Sequence, residues 1–181
     1  MRRSFLAIGL ILLATFVAAE VPQPTDDSVL AKAAANTSTM HRVTEKPFLM
    51  DAATAQLCDR PKSRKQDTPH RDYYCHVFVN ESALPAMKSG KVPYPVGAII
   101  VKQKFSHPEE IKAELYTLMR KRPKGYDPEH GDWEYSIISG NADKVLSRGR
   151  TDSCIECHQQ HAKSDYVTRL YLKDQPTGRA Q

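Results

Sequence analysis

The clearest pattern in the chain is the run Tyr73-Tyr74-Cys75-His76-Val77-Phe78-Val79, dense in aromatic and β-branched residues and followed by Asn80-Glu81-Ser82-Ala83-Leu84. It predicts a strand, then a short capped helix reaching about Lys88. Gly90, Pro93, Pro95 and Gly97 punctuate the chain before Ala98-Ile99-Ile100-Val101-Lys102, whose branched side chains predict a second strand. Beyond it, Pro108, Glu109 and Glu110 suit a helix start, and Ile111, Leu115, Leu118 and Met119 recur at helical spacing. A helix is therefore expected to run to Arg122, before Pro123. Asp132 to Ile138 reads as a third strand with Trp133, Tyr135 and Ile137 on one face, and Tyr166 to Leu172 as a fourth extended run. Short strands interspersed with helices place the chain in the α+β class, a mainly antiparallel sheet with flanking helices. The long amphipathic helices of a four-helix bundle are missing from the pattern.

The ends change the picture. Arg2 and Arg3 precede an apolar stretch from Phe5 to Val17 and the small residues Ala18-Ala19, the pattern of a signal peptide over residues 1–19. The stretch falls short of the roughly 20 residues a membrane-spanning helix needs, so cleavage is expected in place of a retained anchor. The mature chain should then be periplasmic, without a membrane attachment. Residues 20–46 mix Ala, Thr, Asp and Pro without a clear apolar period and read as a flexible arm, leaving one folded domain over residues 47–181. Loss of the two arginines lowers the formal charge from +5 to +3. So mild an excess does not argue for nucleic acid, although a basic face can steer an acidic redox partner.

The chemistry is concentrated in Cys154-Ile155-Glu156-Cys157-His158. Two thiols three residues apart can each reach one vinyl group of a single porphyrin, and the adjoining histidine then lies under the iron. The motif predicts one covalently attached haem c, packed against the sheet, with His158 as the proximal iron ligand. The competing reading is a zinc site using Cys154, Cys157 and two further ligands such as His161 and Cys58; a simple Cys154–Cys157 disulfide is the other alternative. Cys58 and Cys75 flank a polar segment, and in an oxidising compartment they are expected to form a disulfide, against two unpaired buried thiols.

Three stretches carry a family resemblance: Tyr94-Pro95-Val96-Gly97-Ala98-Ile99-Ile100-Val101-Lys102, Gly131-Asp132-Trp133-Glu134-Tyr135, and the haem motif with Ala162-Lys163-Ser164-Asp165-Tyr166-Val167-Thr168-Arg169. Together they resemble the cytochrome P-460 family, which includes the cytochromes c′-beta. The resemblance implies an antiparallel sheet, often in a homodimer, packed on one haem with an open distal iron site. In cross-linked members a strand lysine is bonded to a meso carbon of the haem, and the matching residue is Lys102. The alternative is that Lys102 ends its strand in solvent, with Gln103 and Lys104 continuing a polar edge. Members without the cross-link close the distal side with aromatic residues, for which Phe78 and Phe105 are candidates.

By the same resemblance, the cross-linked members oxidise hydroxylamine and pass electrons to a periplasmic cytochrome. The family's distal position falls near Leu118 or Met119. Met119 is read as core packing, as a distal wall or as a sixth iron ligand. A nearby carboxylate would serve as base; Glu114, Asp127 and Glu129 are the nearest in sequence and each reads as a solvated charge. His70, His76, His107, His130 and His161 are alternative sixth ligands. Two classes of function follow: an enzyme acting on hydroxylamine, or a non-catalytic protein that binds nitric oxide or shuttles electrons.

Overall fold

The β-branched and aromatic runs become strands, and the computed structural model, which describes residues 26–50 and 73–172, assembles seven of them into one antiparallel sheet. They are β1 (His41–Arg42), β2 (Phe48–Met50), β3 (Tyr73–Val79), β4 (Ile99–Phe105), β5 (Leu115–Lys121), β6 (Trp133–Ser139) and β7 (Val145–Gly149). The spatial order is β1-β3-β4-β5-β6-β7, with β2 also pairing with β3. The α+β reading of the sequence is thus the observed class. Among the described residues no helix is long and apolar enough to cross a membrane.

Alternation along the strands divides the sheet into two faces. Register aligns Val79, Ile100, Met119 and Tyr135 in one row across β3 to β6, and Val77, Lys102, Thr117 and Ile137 in the next. These rows form the face that carries the site. Val77, Val79, Ile100, Met119, Trp133 and Tyr135 pack there in one apolar cluster, closed by Ala86 and Met87 of helix α2 (Leu84–Ser89) and by Cys154 of helix α3 (Asp152–His158). The opposite face carries Val101, Phe105, Tyr116, Leu118 and Ile138, covered by Leu30 and Ala34 of helix α1 (Asp26–Ala35).

Four readings of the sequence need correction. The helix expected from Pro108 to Arg122 is absent, and β5 occupies its second half. Leu115, Leu118 and Met119 fit a helical period only because both faces of this central strand are covered, which removes the polar alternation that marks a half-buried strand. The stretch read as a flexible arm contains α1, with Leu30 and Ala34 fully buried. Its alanines blur the apolar period, and much of its docking is ionic: Asp26 lies 3.0 Å from Arg120 and 3.2 Å from Arg148, and Arg120 lies 2.6 Å from the buried Glu134. Residues 166–172 form turns and coil, because their polar groups bond to loops and helices instead of joining a ladder. Asp127, read as solvated, is buried and bonded to His130 at 3.0 Å.

Candidate functional site

Helix α3 begins beyond Thr151 with Asp152 in its first turn, where a carboxylate complements the helix dipole. Its seven residues place Cys154 and Cys157 one turn apart on the same side, and His158 at the C-terminal end. Cys154 is buried against the apolar face of the sheet, while Cys157 is half-buried. A short 3-10 segment, Gln159–Ser164, continues from the helix and leads to Asp165 and Tyr166, both in left-handed backbone conformation.

That reversal returns the chain to His158. Nδ1 of His158 lies 2.8 Å from the carbonyl oxygen of Tyr166, and a carbonyl can only accept, so Nδ1 carries the proton and donates it. The lone pair is then on Nε2, the tautomer required of an imidazole that ligates a metal. Burial, reinforced by the Lys102 ammonium, lowers the pKa of His158 to about 4, so the ring is neutral at ordinary pH. Its centroid is 5.2 Å from that of the Tyr135 ring.

A cleft opens between α3 and the sheet, lined by Ile100, Lys102, Met119, Tyr135, Cys154 and His158, with Thr117, Leu118 and Ser136 beside them. Its wall is therefore largely apolar, with one primary amine and one imidazole. The Tyr135 hydroxyl is buried with no hydrogen-bond partner among the described residues, and burial raises its pKa, so it stays a neutral phenol. Two thiols on one helix side, an imidazole with a free Nε2, an apolar wall and an unpartnered buried phenol form a donor set that fits a haem group. Cys154 and Cys157 would hold its periphery and His158 its iron.

Lys102, Met119, Cys154 and His158, singled out from the sequence, therefore share one cleft, with Cys157 a turn away. Lys102 is half-buried in mid-strand, paired across to Val77 and Thr117, and does not end β4 in solvent. Lys104 is fully buried elsewhere, its Nζ 4.4 Å from the centroid of the Tyr73 ring. Phe78 and Phe105 lie on the α1 face and cannot wall the cleft. Cys75 is buried beside Met50 and Tyr73, whereas Cys58, His70 and the segment read as a signal peptide lie outside the described residues. His76 faces Thr44 at 3.0 Å, and His130 is held by Asp127; His161, like His158, stands close enough for Lys102 to lower its pKa, after the larger effect of burial. Among the described residues no cluster of three or more His, Cys, Asp and Glu side chains could hold a metal ion.

Sequence reasoning missed the support beneath the histidine. Asp165 and Tyr166 stand in a stretch that carried the family resemblance, yet nothing in their spacing announces a bond from Tyr166 to His158 or from Asp165 to Lys121. No curated protein matches the chain. The cytochrome P460 family model matches residues 52–169, the span that holds strands β3 to β7 and the haem motif. With that match added to the donor set around the cleft, the chain belongs to the cytochrome P460 family and is a haem-binding c-type cytochrome.

Proposed function

We propose that the chain is an exported mono-haem cytochrome that oxidises hydroxylamine at an open distal iron site. Its haem would be bonded to Cys154 and Cys157, ligated by His158 and joined at a meso carbon to Lys102. The observation that carries this reading is the position of Lys102. A primary amine stands in mid-strand on the wall that also holds His158 and Cys154, between apolar neighbours and with no carboxylate among the described lining residues. Desolvating an ammonium without a counter-charge is unfavourable, whereas an amine bonded to the porphyrin edge loses that charge.

Bound haem supplies the iron that takes electrons from the nitrogen of hydroxylamine. The chain's own residues do the rest. His158 is held by the Tyr166 carbonyl, Ile100 and Met119 exclude water from the cleft, and Thr117 and Tyr135 offer uncharged hydrogen-bonding groups. Electrons leave to a second periplasmic cytochrome, which the mildly basic chain would attract through an acidic face.

The absence of a carboxylate among the described lining residues favours a second reading, nitric oxide binding without turnover, because hydroxylamine oxidation needs a proton acceptor near the iron. Mixing the haem-loaded protein with hydroxylamine and an electron-acceptor dye separates the two. The enzymatic reading expects many turnovers of dye reduction, abolished in Lys102→Ala. The binding reading expects one nitric oxide taken up per ferrous haem and no hydroxylamine-driven reduction. A six-coordinate, low-spin spectrum that neither ligand alters would sink both and leave electron transfer.

A further inference from the structure

We propose that the buried Lys121–Asp165 ion pair is a positioning device for His158, fixing the backbone carbonyl that sets the ring's orientation and its electron donation to iron. The inference rests on the haem reading of the Cys154–His158 motif given above. Lys121 Nζ lies 2.6 Å from both carboxylate oxygens of Asp165, and both side chains are more than nine-tenths buried. Two further groups grip the same residue. The Tyr94 backbone N–H donates to the Asp165 carboxylate at 2.7 Å, and the Trp133 indole N–H donates to the Asp165 carbonyl at 2.8 Å.

The need for such a grip is visible in the backbone. Asp165 and Tyr166 stand at φ 54° and 63°, a left-handed backbone that residues with a Cβ rarely adopt. Tyr166 then presents its carbonyl to His158 Nδ1. On the far side, Arg169 donates to the carbonyls of Met87 and Lys88 at 2.7 and 2.8 Å. The acceptor thus sits between two staples, one ionic and buried, the other made of guanidinium bonds to α2. A fixed acceptor on one ring nitrogen holds the imidazole plane and raises the basicity of the other nitrogen. A buried ion pair adds little net stability over an apolar pair of the same size, so placement, not stability, is what it contributes here.

The test uses haem-loaded Asp165→Asn and Lys121→Arg. Asp165→Asn keeps the side-chain volume and an acceptor for Tyr94 but removes the counter-charge; Lys121→Arg keeps the charge. Two readouts follow: the one-electron reduction equilibrium, and the deuterium exchange of the His158 ring N–H followed by NMR. In Asp165→Asn the weakened donation favours ferrous iron, shifting the equilibrium about tenfold toward reduction, about 59 mV for one electron. Ring N–H exchange accelerates in the same variant, and Lys121→Arg stays near wild type in both. A lowered melting temperature with unchanged potential and unchanged exchange would overturn the proposal, since the pair would then be a structural clamp only. If Asp165→Asn does not fold, the wild-type protein decides, because a His158 ring N–H that exchanges as fast as a free imidazole's is incompatible with a fixed acceptor. His158→Ala, measured alongside, tests the haem reading by itself: an axial-ligand spectrum unchanged in that variant would refute the assignment of His158 and leave the bonding of Asp165 untouched.

Discussion

Replacing Gly131 by alanine probes the packing beneath the carbonyl that holds His158. Gly131 stands at φ 69°, and a Cβ built on it would come within 2.7 Å of the Tyr166 ring and 2.9 Å of an Asp165 carboxylate oxygen. The left-handed backbone alone costs alanine about 1–2 kcal/mol. The contacts add to this because neither neighbour can swing away: Tyr166 Oη donates to the Glu129 carbonyl at 2.6 Å, and Asp165 is gripped by Lys121. Overfilling such a site costs about 1–3 kcal/mol, so a total near 3 kcal/mol is expected. At about 2–4 °C per kcal/mol for a chain of this size, the melting temperature should fall by about 6–12 °C. Gly125→Ala is the control, since at φ 98° its Cβ would meet nothing within 4 Å and carries backbone strain alone. Thermal melts of the two haem-loaded variants followed by circular dichroism make the comparison. A Gly131→Ala protein that melts no lower than Gly125→Ala would refute the reasoning, because strain would then account for the whole effect.

Two further outcomes follow from particular bonds. Trp133→Phe removes the indole N–H from the buried Asp165 carbonyl and should lower stability by about 1–3 kcal/mol, read as a lower urea midpoint at unchanged slope. The Arg120 guanidinium holds the Asp26 carboxyl below its ordinary value of 3.8, against a smaller opposing effect of burial. A carboxylate depressed in the folded state stabilises it above the unfolded value, and that contribution is lost as pH falls through the folded one. Asp26→Asn should therefore melt slightly lower than wild type at pH 7, by under about 1 kcal/mol for a pair this exposed. The gap should close as pH drops below 3.8, and a gap that persists there would show that α1 does not dock through this carboxylate.

The sequence was most legible where one physical signal dominated. Strands β3, β4 and β6 announced themselves through branched and aromatic side chains, and β6 showed Trp133 and Tyr135 facing the same way. The motif from Cys154 to His158 pointed to haem, and haem binding is what the family match supports. Strand β5 was hidden because α1 and the site cover both its faces, so alternation gave way to an apparent helical period. Helix α1 was hidden because small alanines and scattered acids have no strong period, while its docking depends on Arg120 and Arg148, far along the chain from it. The support of His158 was hidden for a related reason. Lys121 and Asp165 are 44 residues apart, and a backbone carbonyl such as that of Tyr166 leaves no mark on the sequence.

The central claim is that Lys102 is bonded to the haem held by Cys154, Cys157 and His158. It is tested most directly by the absorption spectrum of the ferrous protein, matured in a periplasm, beside that of Lys102→Ala. The account predicts a strongly red-shifted Soret band in the wild type that is lost in the variant. An ordinary c-type spectrum in both would contradict the cross-link and leave gas binding or electron transfer as the function.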